Sequence, residues 1–174
     1  YLTSTKADEP WMPGSLRPYG DVPMSPAAGV LNYGQGLFEG MKAYRTTKDR
    51  IVFFRPEENA RRMQRGADRL KMPPVPESVF VDAVEQVVSA NQHWVPPSGK
   101  GAMYVRPLLM GSGPVLGVSP APSYTFLVYV TPVGPYFKGG MNAIDLLISE
   151  HHHRAAPGGS GGVKAIGNYA PGMK

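Results

Sequence analysis

The sequence predicts an α+β fold: a small domain of sheet plus helices, followed by the start of a second, incomplete domain. Three observations carry that expectation. Strand-like apolar runs lie on both sides of two segments with helical periodicity, which packs the helices as a pair beside a sheet. Each helical segment is stopped by a proline pair, Pro73-Pro74 and Pro96-Pro97. A glycine- and proline-rich stretch then separates the last apolar run from everything before it.

Taken in order, residues 1–30 are rich in proline, glycine and small side chains and read as an extended arm with turns. Leu37 to Arg45 and Ile51 to Phe54 are strand-like and flank the polar run from Thr46 to Arg50, which makes a hairpin. The first helix is expected from Glu57 to Lys71, where Ala60, Met63, Ala67 and Leu70 recur at helical spacing. A second runs from Ser78 to His93, with Phe80, Ala83, Val84, Val87 and Val88 as its buried stripe. Strands are then expected at Ala102–Met110, Tyr124–Thr131 and Ala143–Ser149. This divides the chain into an N-terminal domain at 1–131, a linker at 132–142 and the opening of a second domain at 143–174.

Composition narrows the class without choosing within it. A hydrophobic fraction of 42% in 174 residues is enough for a core and excludes a disordered chain. The net charge of +5 favours anionic partners in general. With no cysteine there is neither a disulfide framework nor a thiolate metal site. No run of 18 apolar residues occurs, so no membrane span is expected, and Tyr1 to Pro10 resembles neither a signal nor a transit peptide. A first residue of Tyr1 and a last of Lys174 read as a piece of a longer protein, which leaves the compartment open among chloroplast, mitochondrion and cytosol.

The residue that speaks most of chemistry is Lys164, in Gly161-Gly162-Val163-Lys164-Ala165-Ile166-Gly167-Asn168-Tyr169. Glycines let backbone approach a bulky ring, and a nearby phenol can tune a lysine that carries a cofactor aldehyde as an imine. Arg62, Arg65 and Arg69 share a helix face; Arg65 and Arg69 read as a solvated basic surface. In Tyr104-Val105-Arg106-Pro107 the phenol and guanidinium fall on one side of a strand and can bind a carboxylate. His151-His152-His153 reads as a solvated loop, because adjacent histidines do not converge on one ion. Scattered tyrosines argue against nucleic-acid stacking, and Gly111-Ser112-Gly113 is a turn without P-loop context.

Four segments in this order resemble the branched-chain amino acid aminotransferases, fold type IV enzymes that use pyridoxal 5′-phosphate; the plant-like eukaryotic members look closest. They are Tyr33-Gly34-Gln35-Gly36-Leu37-Phe38-Glu39-Gly40-Met41-Lys42; Phe54-Arg55-Pro56 with Asn59, Arg62 and Met63; Tyr104 to Pro107; and Lys164 to Tyr169. The resemblance implies that Lys164 condenses with the cofactor and later moves the proton, that Tyr169 meets the ring's phenolic oxygen, and that Arg62 meets the phosphate. It implies a substrate pocket from Tyr33, Phe38, Tyr104 and Tyr136, with Arg106 receiving the distal carboxylate of glutamate. It further implies a homodimer in which Tyr33 and Leu116 serve the other subunit's site. A β-barrel-like second domain would supply the remaining cofactor contacts, so the 174 residues alone are expected to be inactive. Competing readings are a D-amino acid aminotransferase, an aminodeoxychorismate lyase, or a non-catalytic anion-binding module.

Overall fold

The computed structural model describes residues 1–137 and 142–173. Six strands form one antiparallel sheet: β1 (Leu2–Lys6), β2 (Gly36–Phe38), β3 (Met41–Arg45), β4 (Ile51–Phe53), β5 (Ala102–Gly111) and β6 (Ser123–Val133). The order is β1-β6-β5-β3-β4, with β2 also on β5. A short helix α1 (Gly29–Tyr33) precedes β2, and helices α2 (Pro56–Arg69) and α3 (Glu77–Ala90) cover one face of the sheet. The α+β expectation thus holds, and the two helices and the β3–β4 hairpin lie where periodicity and turn composition place them.

One edge of β5 is shared by two partners. Residues 103–105 pair with β3 and residues 108–110 with β2. Between them the chain turns a corner at Glu39-Gly40, where the Glu39 N–H donates to the Pro107 carbonyl at 2.8 Å. In a strand, one residue's N and C=O point to the same neighbour. The nitrogen of Pro107 therefore faces the β2–β3 corner, and a proline in a central strand interrupts the ladder only where it is already broken.

The core lies between this sheet and α2–α3. Met103, Val105 and Leu109 of β5 meet Ala60, Met63 and Ala67 of α2 and Phe80, Ala83, Val84 and Val87 of α3. Phe80 and Phe126 pack at 5.8 Å between ring centroids. Gly66 lets α2 approach β2, since a side chain there would press on Leu37.

Two elements depart from expectation. The first residues are not merely an arm: Leu2–Lys6 extends the sheet as an edge strand on β6. Its inward residues are Thr3 and Thr5, so it lacks an apolar alternation, and their hydroxyls bond the carbonyls of Met12, Glu9 and Pro10 instead. Residues 143–149 form no strand; Ile144, Leu146, Leu147 and Ile148 are exposed. A strand needs a partner for its ladder, and none of the described strands pairs with this segment. Of the linker at 132–142, residues 132–133 complete β6 and residues 138–141 lie outside the described residues.

Replacing Phe80 by alanine removes the centre of the helix–sheet core and should cost about 3–5 kcal/mol. Urea denaturation followed by circular dichroism checks this; a loss under 1 kcal/mol would place the core elsewhere.

Candidate active site

The site is built on the sheet face opposite the helices. Register puts Phe38 beside Leu108, Lys42 beside Tyr104 and Arg106 beside Tyr129, so Phe38, Tyr104 and Arg106 project from one face. The Arg106 guanidinium carbon stands 4.5 Å from the Phe38 ring centroid and 5.2 Å from that of Tyr104, whose hydroxyl accepts from Nη2 at 2.9 Å. Gly40 makes room for this phenol; a methyl group there would collide with the Tyr104 hydroxyl. Arg106 Nε is buried and has no hydrogen-bond partner among the described residues. The guanidinium as a whole is suited to a carboxylate.

The lysine loop docks on the free edge of β2. Phe38 N–H donates to the Lys164 carbonyl at 3.2 Å, and Leu37 bridges to Ala165. Gly36 leaves space for Ile166 beneath the loop. Lys164 Nζ is thereby set 4.4 Å from the Phe38 ring centroid and donates to the Tyr169 hydroxyl at 2.7 Å. The Phe38 and Tyr169 rings meet edge-on at 4.7 Å.

Within the loop, buried Asn168 acts as a clamp. Its Nδ2 donates to the carbonyls of Ser160 at 2.8 Å and Val163 at 2.9 Å, and its Oδ1 accepts from Ser160 Oγ at 2.7 Å. A second hold comes from α2, where Arg69 donates to the carbonyls of Gly158 and Gly159. Arg69 is exposed, as its spacing implies, and from the surface it also reaches this loop. Arg65 is exposed.

Arg62 faces the same space. With Arg154, Gly161, Gly162, Val163, Lys164 and Tyr169 it lines a cavity of about 290 Å³. Its Nε and Nη2 form a fork on the carboxylate of Glu39, at 2.7 and 2.5 Å. These bonds raise the guanidinium pKa above its ordinary value against partial burial, with the charge of Glu39 and Tyr169 adding to the effect. Glu39 is completely buried and also accepts from Asn59 Nδ2 at 2.8 Å.

Six residues singled out in the sequence thus come together: Phe38, Arg62, Tyr104, Arg106, Lys164 and Tyr169. Three others stand apart from this group. The Tyr33 hydroxyl donates to the Leu116 carbonyl, and both residues are exposed. Tyr136 is exposed and stacks edge-on against Phe137. Glu39, Asn168 and Arg154 were not singled out. Glu39 had a signal, an acidic residue inside the apolar run Leu37-Phe38-Glu39-Gly40-Met41; Asn168 and Arg154 had none beyond their neighbours. Among the described residues no group of three His, Cys, Asp or Glu side chains is arranged for a metal, and no helix is long and apolar enough to cross a membrane.

No protein-family model matches the chain. Individual proteins do. The chain is 60% identical over 161 residues to the chloroplastic branched-chain amino acid aminotransferase 2 of Humulus lupulus, covering 92% of this chain and 40% of that protein. It is 55% identical over all 174 residues to the chloroplastic branched-chain-amino-acid aminotransferase 2 of Arabidopsis thaliana, 45% of whose length it spans. Other relatives are named as mitochondrial. In structure it matches the T.th. branched-chain amino acid aminotransferase complexed with N-(5′-phosphopyridoxyl)-L-glutamate, with a TM-score of 0.68 and 27% identity over 91% of this chain and 50% of that one. Fold and relatives agree: the chain has the fold of the corresponding half of a branched-chain aminotransferase. Over most or all of its length the chain is similar to plant branched-chain aminotransferases, and it spans less than half the length of the plant relatives it matches.

Replacing Asn168 by alanine leaves the Ser160 and Val163 carbonyls without their partner, at a cost of about 1–3 kcal/mol. The loss should be local: amide exchange at residues 160–169 accelerates while β5 and β6 keep their protection. Unchanged exchange in the loop would show that the clamp does not hold it.

Proposed function

We propose that the full-length protein containing this chain is a pyridoxal 5′-phosphate-dependent aminotransferase. It moves the amino group between leucine, isoleucine or valine and 2-oxoglutarate. The observation that supports this best is the Lys164–Tyr169 pair, 2.7 Å apart, at the edge of a cavity that Arg62 also lines. These residues fit the cofactor. A primary amine faces the cavity for the aldehyde, a guanidinium for the phosphate and a phenol for the ring's oxygen, while Gly161 and Gly162 allow close approach. The solved relative's phosphopyridoxyl-glutamate ligand supports the same assignment.

When bound, pyridoxal phosphate supplies an electron sink for the pair released at the substrate Cα. Among the described residues Lys164 is the one amine lining the cavity, and it serves as the base that removes the Cα proton and as the acid that returns it. The Tyr169 hydroxyl, in hydrogen-bond contact with Nζ, orients the amine. Phe38 provides the apolar wall over which an aliphatic side chain lies, and Tyr104 with Arg106 receives a distal carboxylate. One pocket can then serve both substrates of the exchange, the apolar one by burial and glutamate by a charged contact with the Arg106 guanidinium.

Tyr33, Leu116 and Tyr136 are read as substrate-pocket residues, the first two through the partner subunit of a homodimer. Support lies in the exposure of all three and in the Tyr33–Leu116 bond, which makes one surface spot of two distant segments. Residues 143–174 are read as the start of a second domain, and the exposed apolar side chains at 144–148 are the surface that its remaining strands would cover. The 174 residues alone are then expected to be inactive.

Reductive trapping with pyridoxal phosphate and borohydride, followed by peptide mapping, tests the cofactor assignment. The chain has eight lysines, and Lys164 should be labelled in preference to the other seven. Even labelling would count against a formed site. In the full-length enzyme, Arg106→Met should raise KM for glutamate about tenfold or more and leave KM for leucine within about threefold. Equal rises for both substrates, or activity with D-alanine and none with L-leucine, would sink the substrate assignment.

A further inference from the structure

Glu39 is the only fully buried carboxylate among the described residues, and the reaction described above gives it no role. Its location is electrostatically odd. A carboxylate within hydrogen-bond reach of Arg62 weakens the attraction of a site for phosphate, and burying it costs free energy unless it is fully bonded. It is fully bonded: both oxygens take the Arg62 fork, Oε2 also takes Asn59, and its backbone N–H is fixed to Pro107.

The geometry of that fork decides what Arg62 can still do. A guanidinium has five N–H donors, and Glu39 engages one on Nε and one on Nη2. The edge formed by Nη1 and Nη2 remains, held in one plane because the carboxylate is anchored to the sheet corner at residues 39–40. Such an edge can give two parallel bonds to a phosphate. An arginine on an exposed helix face would otherwise sample many rotamers and lose that freedom on binding.

We infer that Glu39 is a positioning residue for phosphate recognition: it pins Arg62 so that its free guanidinium edge meets the phosphate monoester in the cavity shared with Lys164 and Tyr169. The inference rests on the cofactor reading above. Glu39 trades net positive charge for a fixed donor edge, so it should discriminate for the phosphate group and leave the aldehyde end untouched.

The test compares pyridoxal 5′-phosphate with pyridoxal, which lacks the phosphate, as ligands of the full-length protein. Their affinities are read by absorbance at the Lys164 adduct and confirmed by trapping. In the wild type the phosphorylated ligand should bind more tightly. Glu39→Gln keeps the shape but replaces one acceptor with a donor facing a guanidinium N–H, so affinity for pyridoxal phosphate should fall about tenfold while affinity for pyridoxal stays within about twofold. Competition by inorganic phosphate should weaken in parallel. Asn59→Ala, which removes only the neutral bond to Oε2, should show a smaller loss of the same selectivity, about threefold, and keeps the test open should Glu39→Gln fail to fold. Equal losses for both ligands would make Glu39 merely structural, and no loss would make it irrelevant; either overturns the inference. A wild type that does not distinguish the two ligands would instead overturn the cofactor reading itself.

Discussion

Strand β2 is only three residues long, and the whole candidate site depends on how its two edges are used. One edge is hydrogen-bonded to β5, in the centre of the sheet; the other receives the loop of Lys164 through the Phe38 amide and the Leu37–Ala165 bridge. The lysine is therefore located by a backbone hydrogen bond to a residue that the sheet already holds. Side-chain packing then refines the position: Phe38 lies under Nζ on one face, while Leu37 is buried beneath α2 on the other. Because strand side chains alternate, a shift of one residue in β2 would exchange these two roles and take the ring from the site.

The end of β2 makes the second constraint. A sheet strand that continued straight would have given β5 one long partner; the corner at Glu39-Gly40 splits that partner into β2 and β3 and turns a carboxylate inward. Gly40 is needed there because the Tyr104 hydroxyl occupies the volume of any side chain. The same corner thus makes room for the phenol on the site face and presents Glu39 to α2, where Arg62 and Asn59 meet it. Helix and sheet are joined at this point by charge-assisted hydrogen bonds, whereas the core cluster between them is apolar.

What the sequence revealed follows from the range of its signals. Periodicity is local, so α2, α3, β5 and β6 could be read from their buried stripes, to within a few residues. β1 escaped because its inward residues are threonines whose hydroxyls are satisfied by a turn several residues on, and no apolar alternation records that arrangement. The run at 143–149 has strand composition without a strand, since composition supplies a propensity and pairing supplies the structure. For the site, residue type made Lys164, Tyr169 and the Tyr104–Arg106 pair candidates, and the order of four family-like segments gave them roles. Arg69 is exposed as helical spacing suggests, but spacing cannot show that a glycine loop ninety residues later comes within its reach.

Arg62 and Arg69 illustrate the same point in energetic terms. Both lie on the exposed side of α2 and carry the same charge, so helical spacing alone ranks neither above the other. Folding differentiates them. Arg62 gains a buried carboxylate and keeps an edge toward the cavity; Arg69 gives its donors to the carbonyls of Gly158 and Gly159, upstream of Lys164. One arginine faces the cavity and the other contacts the loop that bears the lysine. Helix α2 thereby fixes both ends of a single distance, from the cavity-facing guanidinium of Arg62 to the loop of Lys164, and a rigid helix of about four turns is well suited to keep it constant.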